Sequence, residues 1–339
     1  MRRVVGALVV CAGVLVSSGG FSWHDPAAAA APRSLTSVNF ILNWLPNVQF
    51  AGLWAAQQKG WWKQAGIQMT YKPWAPGVSP ETDVPARGGN TFGFQSAAAI
   101  AIARSKNVPI QGLYADVERS TFGLMVLASS PYRKLTDLKG KRIGYKSSEF
   151  YVPATMMACA GISQSEWKPV EVSFDTSVLT QHQVDADPIF IVNEPIALKL
   201  QGVKTRVFPA ADHCFHFYDI VMFTTNRLIS SNPGLVRRVT QVVARGYTWA
   251  HQHPDQAARL TVQHYFPASK GTSAATNLKQ QILESEAFTP FSKDPNGRFS
   301  GLMTASYWKD SLKTLLKYGL IKSEPSVSSL FTNRFNPNR

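Results

Sequence analysis

Val38, Phe40 and Leu42 alternate with less apolar neighbours, a two-residue period that predicts a strand. The run Asn43-Trp-Leu-Pro-Asn47 breaks that period, after which Phe50, Leu53 and Trp54 recur at helical spacing until Gly60. Ile67, Met69 and Tyr71 alternate again, so the chain opens as strand, helix, strand. The same order continues with a strand over Thr91 to Gln95, an Ala-rich helix over Ser96 to Ser105 with Ser96 as its cap, and a strand over Val108 to Tyr114. Alternating units of this kind predict a parallel-type sheet flanked by helices.

A continuous apolar run, Leu124 to Ala128, predicts a further buried strand, and Arg142 to Tyr145 another. A helix near Pro153 to Ala160, a strand at Val170 to Phe174, a short helix from Ser177, a strand at Pro188 to Val192 and a helix from Glu194 to Leu200 follow, which reads as a second α/β unit. After a strand over Ile220 to Phe223 the pattern turns helical. Asn232-Pro233 is a helix start, and Leu235, Val236, Val239, Val242, Val243 and Tyr247 repeat every three or four residues behind it. Such a chain leaves one lobe, builds a second and returns. The expected organisation is a first lobe of residues 32–128 plus 224–339 and a second of residues 129–223, with crossings near Ala128 to Pro131 and Met222 to Thr225. A cleft between two such lobes collects strand ends and helix N-termini, where small ligands bind.

The N-terminus adds a compartment. Arg2 and Arg3 precede an apolar stretch from Val4 to Val16 that is too short to span a bilayer, and small residues including Ala27 to Ala31 offer cleavage sites, which predicts a signal peptide over residues 1–31 and an exported protein of the periplasm or cell envelope. Cys11 lies inside the apolar run without the small-residue context of lipid attachment. Leader removal leaves Cys159 and Cys214, which an oxidising compartment allows to pair. The formal charge of +14 raises nucleic-acid or polyanion binding as a reading, but the basic residues are spread along the chain without a nucleic-acid-binding motif. The cluster Lys134, Lys139, Lys141, Arg142 and Lys146 reads as a solvated surface.

Catalytic spacings are missing: there is no nucleophile elbow, HExxH, CxxC or dinucleotide-binding glycine motif. Gly140-Lys-Arg-Ile-Gly144-Tyr-Lys146-Ser147 departs from a phosphate-binding loop, which needs Gly and Lys adjacent before the Ser. Asp212, His213, Cys214 and His216 are metal-ligand types, yet consecutive residues of an extended segment face opposite ways, so no metal is expected. What remains is aromatic residues and carboxylates at segment ends. Trp44, leaving the first strand, can stack on a planar ligand or pack as a lid on the core, and Tyr151 and Tyr218 stand near other segment ends. Glu194 opens a helix directly after a strand, the position that faces a cleft, and can accept hydrogen bonds from ring NH or amino groups or serve only as a first-turn anion.

Taken in order, Asn43-Trp-Leu-Pro-Asn47-Val-Gln-Phe-Ala-Gly52-Leu, Gln58-Lys-Gly-Trp-Trp-Lys-Gln-Ala-Gly66, Asp137-Leu-Lys-Gly-Lys-Arg-Ile-Gly144, Asn193-Glu-Pro195, Asn232-Pro-Gly-Leu-Val-Arg-Arg238, His253-Pro-Asp255, Tyr318-Gly-Leu-Ile321 and Phe331-Thr-Asn-Arg-Phe335 span nearly the whole mature chain. This series resembles ABC-transporter substrate-binding proteins related to alkanesulfonate-binding proteins and thiamine-pyrimidine synthases. The resemblance implies an α/β, two-lobed type II periplasmic binding protein with mixed sheets flanked by helices. It implies a single small ligand in the interlobe cleft, a thiamine pyrimidine precursor or riboflavin, with alkanesulfonate or nitrate as the alternative. It also implies an ABC permease in the membrane as partner, no nucleic acid, a monomer, no cofactor and no catalysis. The candidate ligand-binding residues are Asn43, Trp44, Asn47, Phe50, Gln95, Ser96, Ser148, Glu149, Tyr151, Asn193, Glu194, Tyr218 and Asp219. Trp44 would stack on the ligand and Glu194 would hold its ring. Pyrimidine-type relatives often carry His where Phe50 stands, and in the synthase branch that His reacts; Phe cannot do that chemistry. The family's Gly-Lys-Ala-Asp-Phe-Gly pattern stands here as Gly89-Asn-Thr-Phe-Gly93, without the carboxylate.

Overall fold

The computed structural model describes residues 34–146, 149–173, 175–269 and 271–339; the expected signal peptide and Ser148 lie outside them. The described residues form ten strands, separated by helical segments except between the fourth and fifth: β1 Thr36–Ile41, β2 Ile67–Lys72, β3 Thr91–Gln95, β4 Ile110–Ala115, β5 Phe122–Leu127, β6 Arg142–Tyr145, β7 Lys168–Glu171, β8 Asp187–Phe190, β9 Thr205–Pro209 and β10 Val221–Thr225. The local signals place the helices well. Ser96 caps the helix Ala97–Ser105 by accepting from the Ala99 N–H, Asn232 caps Pro233–Gln252 by accepting from the Leu235 N–H, and Gly60 takes the left-handed conformation (φ +70°) where the helix Ala51–Gln58 gives way to the next turn.

The first lobe is built on a five-stranded sheet of order β2-β1-β3-β10-β4, in which β1 runs parallel to β2 and β3 while β10 is antiparallel to β3 and β4. The sheet is therefore mixed rather than parallel, because β10 returns from the second lobe and inserts in the opposite direction. In the second lobe β5 pairs antiparallel with β8 and β9, and β6 pairs parallel with β7. A bridge between Ile143 and Ala186, with the Gly144 N–H on the Ala186 carbonyl at 2.9 Å, sets β6 beside the start of β8. The second lobe thus reads β7-β6-β8-β5-β9. This repeats the order of the first, with β5 in the place of β10.

Sheet membership moves the crossings. β5 lies between β8 and β9 in the second lobe, although its apolar run was expected in the first, so the outward connection is 116–121 instead of Ala128 to Pro131. The return connection is 210–220, ahead of the expected Met222 to Thr225, which lies within β10. The two connections run side by side and prolong the β4–β10 ladder: the Asp116 N–H donates to Ile220 O at 2.8 Å and the Asp219 N–H to Val117 O at 2.9 Å.

A continuous core runs beneath the first sheet, with Phe40, Phe92, Phe94, Trp54, Trp62 and Tyr247 fully enclosed. Gly52 and Gly246 let the helices Ala51–Gln58 and Pro233–Gln252 touch backbone to backbone, since a Cβ on Gly246 would stand 2.1 Å from Gly52 O. Cys159 and Cys214 form a disulfide, with Cα atoms 6.0 Å apart, which ties the helix Tyr151–Cys159 to the return connection and commits the one cysteine of the 212–216 cluster. Among the described residues no helix is long and apolar enough to cross a membrane.

Candidate functional site

In both lobes the parallel strands deliver their C-terminal ends to one place. Asn43 and Trp44 follow β1, Gln95 ends β3 and Ser96 follows it, Lys146 follows β6, and Phe190 ends β8 ahead of Asn193 and Glu194. Ligands of open α/β sheets bind at such ends, because the chain turns there and leaves side chains and N–H groups unspent by the sheet.

The indole of Trp44 is only 3% exposed and belongs to both lobes. Phe190 meets it edge-on with ring centroids 5.1 Å apart, and the Lys146 ammonium lies 4.8 Å above its ring. Lys146 Nζ donates to Glu194 Oε1 at 2.7 Å, and the other oxygen of Glu194 accepts the Phe190 N–H at 2.8 Å. A second tie between the lobes joins the hydroxyls of Ser96 and Tyr151 at 2.7 Å; the Tyr151 ring stacks on Phe215 behind it.

Several acids are buried around this pair. Burial pushes Glu149 up to about 8, and the charges of Asp219, Glu194 and Glu81 add to that while Lys146 opposes it. Asp187 rises to about 7, again through burial, with Lys146 opposing and Glu194 and Asp175 adding to the rise. Lys146 itself moves upward: its burial pulls down, but Glu194, Asp187 and Glu149 together outweigh it. Near neutrality the cluster therefore presents one ammonium and acids that can hold their protons and donate.

Asn43 Oδ1 accepts from Gln49 Nε2, and Gln95 joins Glu81 to the start of the helix Ala97–Ser105. Asn193 precedes the helix Glu194–Leu200 without a side-chain cap bond. Asn47 serves the first lobe: its Oδ1 accepts the Gln49 N–H and its Nδ2 reaches Glu284 Oε2 at 3.4 Å. Asp219 pins the two connections together by accepting from the Thr121 N–H and hydroxyl, on the side of Glu149 and Tyr151.

Two candidates are displaced. Phe50 is wholly enclosed against Trp54 and Phe94, which follows from its own helical spacing with Leu53 and Trp54. Tyr218 points away from its neighbour Asp219, as alternation along an extended segment requires; its hydroxyl accepts the Thr304 N–H and its ring meets Tyr307.

The sequence reading overlooked Lys146, Asp187, Phe190 and Glu284. Lys146 was counted with a solvated basic cluster, yet it is 6% exposed; its place directly after a strand, matching Ser96, was the available signal. Glu284, on the helix Ala274–Phe288, is enclosed among Asn47, Gln280 and Gln281, and burial pushes it to about 8.

Comparison with known proteins agrees with this architecture. The NMT1/THI5-like family model matches residues 47–257. The riboflavin-binding protein RibY of Chloroflexus aurantiacus is 26% identical over 326 residues, covering 92% of this chain and 90% of that protein. The formylaminopyrimidine-binding protein of Halalkalibacterium halodurans is 22% identical over 295 residues, covering 85% and 87%. Among solved structures, the alkanesulfonate-binding protein SsuA from Xanthomonas axonopodis pv. citri, bound to MOPS, superposes with a TM-score of 0.67 at 16% identity, covering 89% of this chain and 99% of that one. The fold is thus the two-lobed one of type II periplasmic binding proteins.

Proposed function

The chain belongs to the NMT1/THI5-like family, and on that premise we propose that it is the exported solute-binding component of an ABC importer. Its ligand on this reading is a small heteroaromatic compound, riboflavin or a pyrimidine precursor of thiamine, held between the lobes and passed by a monomer to a membrane permease. The observation that carries the ligand class is the Trp44 indole shared by the two lobes, beside an ammonium already committed to Glu194 and ringed by buried acids. A sulfonate or nitrate would place a second anion beside Glu194 with Lys146 alone to offset the two, and would offer Glu194 no donor, whereas a neutral ring with carbonyl and amino edges accepts from the protonated acids and also donates to Glu194. The names of the two relatives point the same way.

Lys146 and Phe190 already lie against the Trp44 ring, so a planar guest enters only as the lobes part and stacks as they close again. No catalytic step is assigned, since Phe50, where synthases of this kind place their reacting His, is buried in the first lobe.

Titration with riboflavin and formylaminopyrimidine, followed by flavin and tryptophan fluorescence, tests the reading against alkanesulfonates and nitrate. One of the two heterocycles should bind most tightly. Trp44→Leu should weaken it by up to about tenfold, the value of an aromatic pair beyond its buried area. Tighter binding of an alkanesulfonate, or no response to either heterocycle, refutes the assignment.

A further inference from the structure

We infer that the protein carries a second ligand site, for a small organic ammonium compound, on the face of the lobe connections turned away from Trp44. A cavity of about 960 Å³ opens there, within the size range of small-molecule sites, bounded by Glu118 and Arg119 of the outward connection, Tyr218 of the return connection, and Pro290, Ser300 and Tyr307 of the C-terminal region. None of its lining residues belongs to the Trp44 cluster.

The built feature is Glu118. Its side chain is 8% exposed, and its Oε1 is buried with no hydrogen-bond partner among the described residues. The charges that act on it, Asp294 and Asp116, share its sign. Each of those already has a partner: Asp116 lies 2.9 Å from His251 Nε2, and Asp294 holds Arg298 at 3.3 Å. The adjacent Arg119 is turned elsewhere, donating to Pro290 O at 2.6 Å and resting its guanidinium 5.3 Å from the Phe291 ring. A carboxyl without a cation therefore stands beside two phenol rings, Tyr218 and Tyr307, whose centroids are 4.6 Å apart and nearly perpendicular.

An ammonium group supplies what this arrangement lacks. It donates to the orphaned Oε1, pairs with the carboxylate in a water-poor setting, and lies against electron-rich ring faces, while an aryl or alkyl body fills the apolar remainder. Burial holds the Glu118 carboxyl up at about 8, with Asp294 and Asp116 adding to the rise and a hydrogen bond with Ser300 opposing it, so the empty site favours its neutral form and a cationic guest at the unpartnered Oε1 relieves that cost. Lys293 and Arg298 also line the cavity, but the charges that act on Glu118 itself are those of Asp294 and Asp116, so a guest seated at its Oε1 is favoured as a cation.

Calorimetric titration of the full chain with phenethylammonium, 2-phenylethanol and 3-phenylpropionate tests this, the three probes sharing a phenyl body and differing in charge. Phenethylammonium should bind in the millimolar range or tighter and at least about tenfold better than the alcohol, as a charge-assisted hydrogen bond implies. Glu118→Gln, which keeps the shape of the side chain, should erase that preference, and Trp44→Leu should leave it intact. Equal binding of the three probes to the unaltered protein, or no binding of the amine, overturns the proposal without any variant being needed. Loss of amine binding in Trp44→Leu but not in Glu118→Gln overturns it as well, by placing the amine between the lobes. The outcome is independent of whether riboflavin or a pyrimidine binds.

Discussion

Replacing Lys146 by methionine removes the ammonium that stands 2.7 Å from Glu194 Oε1 and 4.8 Å above the Trp44 ring while keeping an unbranched apolar stem. Both partners are almost wholly enclosed, at 6% and 3% exposure, so the change leaves Glu194 buried with the Phe190 N–H as its one remaining hydrogen-bond donor among the described residues. Breaking a buried pair from one side costs about 3–5 kcal/mol, and loss of the desolvated cation–π contact lies within that figure, since the two effects share one ammonium.

The loss should also depend on pH. Lys146 holds Asp187 and Glu149 down against burial, which sets them at about 7 and about 8; without it both rise further. An acid whose folded value exceeds its unfolded one binds its proton more tightly when folded, so its contribution is fully present below the unfolded value and is lost as pH rises through the folded value. Lys146 is raised from 10.5, so its own contribution stays intact up to that value and is lost as pH climbs beyond it. The penalty of Lys146→Met is therefore smallest at about pH 5, where the neighbouring acids are protonated, and grows toward about pH 9. Urea unfolding of the parent, Lys146→Met, Glu194→Gln and the double variant closes a thermodynamic cycle, with a coupling of about 2 kcal/mol expected near neutrality. A coupling below about 0.5 kcal/mol, or a penalty that does not change with pH, would refute the reasoning.

The Cys159–Cys214 link spans a sequence separation of 55, for which chain entropy gives about 4 kcal/mol; the double Ser variant should lose about 2–4 kcal/mol in urea unfolding, and a loss under about 1 would show that the bridge is not constraining the unfolded chain. Gly246→Ala places a Cβ 2.1 Å from Gly52 O and should cost about 3 kcal/mol or more in thermal melts, while Gly234→Ala, whose Cβ would meet only the end of the Arg238 side chain at 3.9 Å, should be neutral or mildly stabilising. Glu284, raised to about 8 by burial, contributes stability that fades as pH rises from its unfolded value near 4.5 through 8, so melting curves of Glu284→Gln should show a flatter pH dependence than the parent over that window.

Where local chemistry decides, the chain is readable. Asn-Pro at 232–233 and Glu-Pro at 194–195 start helices where expected, and the alternating apolar residues of β1 and β2 form neighbouring parallel strands. Periodicity names an element but not its partner, and this is why β5 was assigned to the wrong sheet: an apolar run is equally buried in either lobe, and its pairing with β8 and β9 is settled by residues more than sixty positions later. Lys146 fails for the same reason. Its neighbours in sequence are basic and largely solvated, while the acids that make its burial tolerable, Asp187 and Glu194, come from another strand and another helix. Tyr218 and Asp219 show the opposite case, in which a known rule was available. Two consecutive residues of an extended segment cannot both face one cleft, and the structure sends Asp219 toward Glu149 and Tyr218 toward Thr304.

The crowding of Lys146, Glu194, Glu149 and Asp187 between the lobes has a thermodynamic direction. All four belong to the second lobe, so the Lys146–Glu194 pair is present whether the lobes are apart or together; closure removes water from the group without supplying new charged partners, which is unfavourable for the acids that must keep their protons. The contacts that favour closure, the apolar one of Trp44 on Phe190 and the hydrogen bond between the Ser96 and Tyr151 hydroxyls, oppose that cost. On the proposed reading the guest tips this balance, since a planar heterocycle adds stacking area on Trp44 and satisfies the protonated acids at its rim. The same logic makes the site selective: a ring of the right shape lacking those edge groups would bury the acids unsatisfied and hold the lobes together less well than the matching ligand.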